Sequence, residues 1–138
     1  MSNYPSSFSE WQNYPSTLDP IHVAWLKNAK KSKTAFAVAD IEGIEISHKK
    51  FLTGVLLFSQ KIKVYSPEQN VGLLLPSSGG GAIASIAILS LGKTLVNLNF
   101  TAGKKALSSA AKQAEVKHIY TSRKFLDKML ERGIDFET

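Results

Sequence analysis

No cysteine occurs anywhere in the 138 residues. That excludes a disulfide framework, a thiolate nucleophile and a cysteine-ligated zinc site. It fits a reducing compartment, although many secreted proteins also lack cysteine. Long apolar runs are missing too. The longest, Ala82–Leu91, falls well short of the ~20 residues that span a bilayer, so the chain is not expected to cross a membrane by itself. Its first residues carry Tyr4, Pro5, Trp11 and Pro15 in place of the charged start and apolar run of a signal peptide. His22, His48 and His118 stand on different elements, and no acidic residue completes a metal-ligand spacing around them. No metal site is expected. Asp40, Glu42, Glu68, Glu115, Asp127 and Glu131 fall in turns or at helix ends, so no buried pair for general acid–base work stands out. There is no G-x-S-x-G elbow, no G-x-G-x-x-G turn and no Walker lysine, because Gly79, Gly80 and Gly81 run together and Ala82 follows them. No catalytic residue can be named.

What is present is an ordinary globular composition, 43% apolar and 20% charged, long enough for one domain with a real core. The net charge is +6. Lysines gather at Lys27, Lys30, Lys31 and Lys33, at Lys49 and Lys50, and at Lys104 and Lys105. Such clusters serve an acidic partner: nucleic acid, anionic lipid or an acidic carrier protein. They also occur as solvated helix faces and at helix C-termini, where lysine complements the dipole. No basic run is interleaved with aromatics as single-strand binding requires, so nucleic acid is not expected.

The most informative segment runs from Val71 to Phe125. Strand patterns at Val71–Leu75, Thr94–Leu98 and His118–Thr121 alternate with helix patterns at Ala82–Leu91 and Lys104–Glu115. The spacing between strand starts, about 23 residues, suits a helical crossover rather than a hairpin. Upstream, residues 1–18 read as a linker or extended arm. Asp19 and Pro20 read as an N-cap and first helical residue, with Ile21, Trp25 and Ala29 on one face. Ala35–Ala39 and Ile44–Ile46 form a hairpin around Asp40–Gly43. Ser47 caps a helix that carries Phe51, Leu52, Val55, Leu56, Ser59 and Ile62 at helical spacing. In the helix from Lys104, Ala106, Leu107, Ala110, Ala111 and Ala114 share a face. Ser122 caps a last helix whose Phe125, Leu126, Met129 and Leu130 face the core, and Gly133 ends it. The fold class is α/β: a three-layer domain with a short parallel sheet flanked by helices, plus an N-terminal helix and a β-hairpin.

Parallel α/β sheets bind ligands outside the carboxyl ends of their strands, which makes three segments candidates. Pro76–Gly81 joins a strand to a helix, and its Ser77, Ser78 and glycines offer either an anion cradle or a simple turn. Asn97 and Asn99 share a face at the end of the second strand, and Thr101 can cap the following helix. After the third strand, Ser122 and Arg123 follow, the arginine able to contact a phosphate or carboxylate. The ligand-facing candidates are therefore Ser77, Ser78, Asn97, Asn99, Thr101, Ser122 and Arg123.

The stretch from Val71 to Phe125 resembles the early part of acyl-adenylate-forming enzymes, the superfamily of acyl-CoA synthetases, peptide-synthetase adenylation domains and luciferases. The resemblance lies in Leu75-Pro76 closing a strand, the Ala- and Leu-rich Ala82–Leu91, Gly92, and Leu98-Asn99. Ile46–Phe51 stands loosely where the superfamily has a Leu-Thr-Tyr-x-x-Leu helix start. Val96–Gly103 and Thr121–Phe125 are more like one branch, the synthetase half of the bacterial 2-acylglycerophosphoethanolamine acyltransferase/acyl-[acyl carrier protein] synthetase. Asn97 is typical of that branch where most members have proline. The resemblance covers Asp19 to Ile134. It implies that residues 19–138 are the N-terminal α/β subdomain of a ligase that joins a fatty acid to AMP, using ATP and Mg, and passes the acyl group to carrier protein or CoA. It further implies a cytoplasmic parent associated with the inner face of the membrane, in phospholipid and fatty acid metabolism.

The superfamily's Pro-Lys-Gly loop, aromatic-Gly-x-Thr-Glu motif, ribose-binding Asp and C-terminal lysine do not occur here, nor does the acyltransferase His-x-x-x-x-Asp motif. The synthetase motifs would lie beyond Thr138 in a full-length relative. The isolated chain is therefore expected to be inactive, to carry no cofactor, and to act as a scaffold whose partner is the remainder of the ligase. Two other classes stay open: a basic binding module for an acidic carrier protein or anionic membrane, and a flavodoxin-like binder holding a nucleotide phosphate at Ser77–Gly81.

Overall fold

The computed structural model describes residues 19–40 and 43–136. The arm expected over residues 1–18 lies outside the described residues, as does the tip of the hairpin turn. Helix α1 (Ile21–Lys31) starts one residue later than its sequence predicts. Pro20 is the N-cap, and its carbonyl accepts from the Val23 and Ala24 N–H groups at 2.8 and 2.9 Å. Asp19 does not cap; its carboxylate accepts from Lys27 Nζ at 2.7 Å. Trp25 and Ala29 turn inward, while Ile21 is exposed.

Strand β1 (Phe36–Ala39) pairs antiparallel with β2 (Glu45–Ser47), the hairpin that the sequence indicates. Gly43 adopts φ 77°, the left-handed conformation that glycine takes without penalty, and its N–H donates to the Asp40 carbonyl at 3.0 Å. Helix α2 (His48–Tyr65) follows directly. Ser47 Oγ accepts from the Lys50 N–H at 3.4 Å, the expected cap. The buried stripe of α2 is narrow: His48, Phe51, Val55 and Ile62. Leu56, expected on it, lies one residue and so 100° around from Val55 and is exposed.

The parallel sheet holds β3 (Asn70–Leu73) between β4 (Thr94–Asn97) and β5 (Ile119–Tyr120). Register sets Val71 opposite Leu95, Gly72 opposite Val96, and Leu73 opposite Tyr120. Helix α3 (Gly79–Ser90) connects β3 to β4. A 3-10 turn (Phe100–Ala102) and helix α4 (Lys104–Gln113) connect β4 to β5, and α5 (Arg123–Glu131) ends the series.

Residues alternate between the two faces of a strand, so the sheet has two cores. On one face Val71 packs with Phe51, Val55, Ile62, Ala87 and Ile88 of α2 and α3, with Trp25 of α1 against them. On the other, Leu74 and Leu98 pack with Phe125 and Met129 of α5, and Leu107 and Ala111 of α4 cover them. This is the predicted three-layer α/β arrangement. Two details differ. Leu130 of α5 is exposed, because Phe125 and Met129 at i and i+4 already fill the inward face. Ala106 and Ala110 of α4 are exposed as well. At the sheet centre, a Cβ on Gly72 would stand 2.8 Å from Val116 Cγ1 and 2.9 Å from Ile119 Cγ1, so only glycine fits beneath them.

Candidate functional site

Beyond the carboxyl ends of β3 and β4 the chain diverges and opens a cleft of about 530 Å³. Ser77, Ser78 and Asn97 line it from the strand ends, Ser85 from α3, and Asp40 from the hairpin. A second cleft of about 180 Å³ shares Asp40, Ser77 and Ser78 and adds Ser122, Lys124 and Lys128 from α5. Of the seven candidates, Ser77, Ser78 and Asn97 line the first cleft, and Ser122 joins Ser77 and Ser78 at the second.

Ser78 is placed by helix formation. Its Oγ accepts from the Gly81 N–H at 3.1 Å and its carbonyl from the Ala82 N–H at 3.0 Å, so it is the N-cap of α3. Of the two readings of Ser77–Gly81, helix entry accounts for Ser78. Gly79, Gly80 and Gly81 are the first turn of the helix, and the Gly81 N–H is already taken by Ser78. Packing accounts for Gly79: a Cβ there would stand 2.7 Å from Ile46 Cδ1, where the helix leans on β2.

Asn97 closes β4, is exposed, and makes no side-chain hydrogen bond among the described residues. Asn99 does not share its role. The strand ends at Asn97, and with it the alternation that would put both side chains on one face. Asn99 Oδ1 instead accepts from the Thr101 N–H at 3.0 Å and its hydroxyl at 2.7 Å, capping the 3-10 turn. Thr101 therefore does not cap α4; Gly103, at φ 80°, precedes that helix without a side-chain cap. Ser122 caps α5 as expected, accepting from the Phe125 N–H at 3.2 Å. Arg123 opens α5 and lines neither cleft.

Sequence reasoning missed Asp40, Lys124 and Lys128. The lysines are legible in hindsight: one helical turn apart at i and i+4, just after a strand end. Asp40 is not, because only hairpin packing brings it there. Its Oδ1 accepts from the Ile44 N–H at 3.2 Å, which orients the carboxylate. The rim thus combines hydroxyls, an amide, a carboxylate and two ammonium groups. It can bind and orient a polar ligand. Neither cleft is lined by histidine, and among the described residues no group of three acidic or histidine side chains could hold a metal.

The opposite end of the sheet is built differently. His118 Nδ1 and Glu68 Oε1 are 2.8 Å apart, and Lys93 Nζ donates to the Glu68 carbonyl at 2.5 Å. Gln69 Nε2 donates to the Gly92 carbonyl at 2.9 Å and Asn70 Nδ2 to that of Ala114 at 2.8 Å. Burial pushes the Glu68 carboxyl up, but its backbone hydrogen bond, His118 and Lys93 together outweigh burial and hold it below the ordinary 4.5.

No protein-family model matches the chain. Solved structures do resemble it. The N-terminal subdomain of NpsA from Klebsiella oxytoca is 10% identical with a TM-score of 0.67, over 78% of this chain and 32% of that one. The same subdomain has been solved in complex with anthranilyl-AMSN. The four-domain nonribosomal peptide synthetase AB3403, bound to AMP and glycine, is 19% identical with a TM-score of 0.69, over 79% of this chain and 8% of that one. PA1221, a nonribosomal peptide synthetase protein containing adenylation and PCP domains, is 17% identical with a TM-score of 0.58, over 71% and 20%. At these identities the likeness is one of fold. The chain spans about a third or less of the length of these proteins.

Proposed function

We propose that residues 19–138 are the N-terminal α/β subdomain of an acyl-adenylate-forming ligase, contributing one wall of its acyl and nucleotide cleft. The observation that carries this reading is the polar cleft at the carboxyl ends of β3 and β4, in a fold shared with proteins solved with AMP or anthranilyl-AMSN. Ser77 and Asn97 face the ligand, and Ser78 and Ser122 shape the rim while capping their helices. Asp40, Lys124 and Lys128 supply its charge.

The finer assignment follows the branch-like segments Val96–Gly103 and Thr121–Phe125. The acid is a fatty acid, the acceptor is acyl carrier protein, and the parent works in the cytoplasm at the inner face of the membrane. ATP and Mg bind to the remainder of the ligase, which is this subdomain's partner. By itself the chain is expected to form no acyl-AMP, because the superfamily's Pro-Lys-Gly loop and aromatic-Gly-x-Thr-Glu motif do not occur in it. Translating the parent reading frame past the Thr138 codon tests this. A Ser/Thr/Gly-rich loop ending in Pro-Lys-Gly is expected within the next hundred or so residues. A stop codon there, or a continuation without that loop, would overturn the assignment.

A further inference from the structure

A separate cleft of about 670 Å³ lies between the end of α1 and the start of α2. It shares no lining residue with the clefts at the strand ends. Its volume falls within the range of small-molecule sites, roughly 300–1,000 Å³. Leu26, Ala29 and Leu52 form an apolar floor, and Lys30, Lys33 and Lys49 stand around it. None of these lysines makes an ion pair among the described residues. Helix-dipole stabilisation accounts for Lys30 in the last turn of α1. It does not account for Lys49, which sits in the first turn of α2 beside Lys50, with no acidic residue in that turn. There a cation opposes the dipole.

His48 also lines the cleft. It is 8% exposed, and its Nδ1 is buried without a hydrogen-bond partner. We infer that this cleft binds a single-chain anionic lipid, its tail on Leu26, Ala29 and Leu52 and its head group among Lys30, Lys33 and Lys49. Charge complementarity selects the anion, and the apolar floor selects a ligand with a tail over a bare ion.

Trp25 provides the readout, because its ring lies 6.1 Å from that of His48 and 4.8 Å from that of Phe51. Trp11→Phe leaves Trp25 as the single tryptophan of the 138-residue chain. Its emission is followed during titration with sodium dodecanoate, kept below its micelle-forming concentration. A saturable change is expected, weakened about tenfold or more by the double variant Lys33→Glu/Lys49→Glu. Both lysines are exposed, and circular dichroism confirms that the variant is folded. The inference is overturned by the absence of a saturable change, or by equal binding to the charge-reversed variant. It is also overturned if dodecanol or inorganic phosphate binds as well as dodecanoate, or if only anionic vesicles bind and monomeric dodecanoate does not.

Discussion

The two ends of the parallel sheet use polar residues in opposite ways. At the amino ends of the strands, Glu68, Gln69, Asn70, Lys93 and His118 are tied to one another or to backbone carbonyls. At the carboxyl ends, Ser77 and Asn97 make no side-chain hydrogen bond among the described residues, yet they line a cleft. Polar side chains bonded internally hold strand order and register. Those left to solvent at a concave surface are the ones a ligand can recruit. Ser78 and Ser122 stand between these cases, since each caps a helix and lines a cleft.

The comparison breaks most completely at its midpoint. Gly72→Val would drive a side chain into Val116 and Ile119, with the His118 carbonyl 3.3 Å from the new Cβ. Overpacking of this kind costs about 3 kcal/mol. Both ends should fail together, seen as a large drop in the urea unfolding midpoint. Next comes the amino end alone. Glu68→Gln removes the charge that faces His118, and a loss of about 1–2 kcal/mol is expected, tempered by the exposure of His118. The sign of its pH dependence follows from the lowered Glu68 pKa. The stabilisation is complete above the unfolded-state value and is lost as pH falls through the lower folded value. The stability gap between wild type and Glu68→Gln should therefore close as the solution is acidified below pH 4.5.

Ser78→Ala tests the intermediate case. Loss of the α3 cap should cost about 1 kcal/mol, so any effect on a ligand would be mixed with lost stability. Smallest in stability terms is Ser77→Ala with Asn97→Ala, expected to change folding by no more than about 0.5 kcal/mol. A larger change in thermal midpoint would show that the carboxyl end is structural too.

Much of this was legible in the sequence. The strand-length apolar runs gave three parallel strands, and the spacing between them required crossovers. Ser47 and Ser122 were recognisable caps because each precedes a helical repeat of apolar residues. The start of α3 was hidden because three successive glycines are poor helix formers, each about 1 kcal/mol worse than alanine. Contact with Ile46 and the Ser78 cap decide the matter there, and contact with Ile46 is tertiary. The same limit hid Asp40, brought to the cleft by hairpin packing, and misplaced Asn99, whose own side chain ends the extended run. Periodicity alone places Leu56 and Leu130 inward, but the cores need narrower stripes than the sequence offers.

The central claim is that Ser77 and Asn97 face the ligand of an adenylating cleft. ATP–pyrophosphate exchange by the protein encoded by the whole parent reading frame, supplied with a long-chain fatty acid, tests it most directly. The account predicts exchange in the wild type, and a fall of about tenfold or more in Ser77→Ala/Asn97→Ala with an unchanged unfolding midpoint. Wild-type protein without exchange, or a double variant that exchanges as fast as wild type, would contradict it.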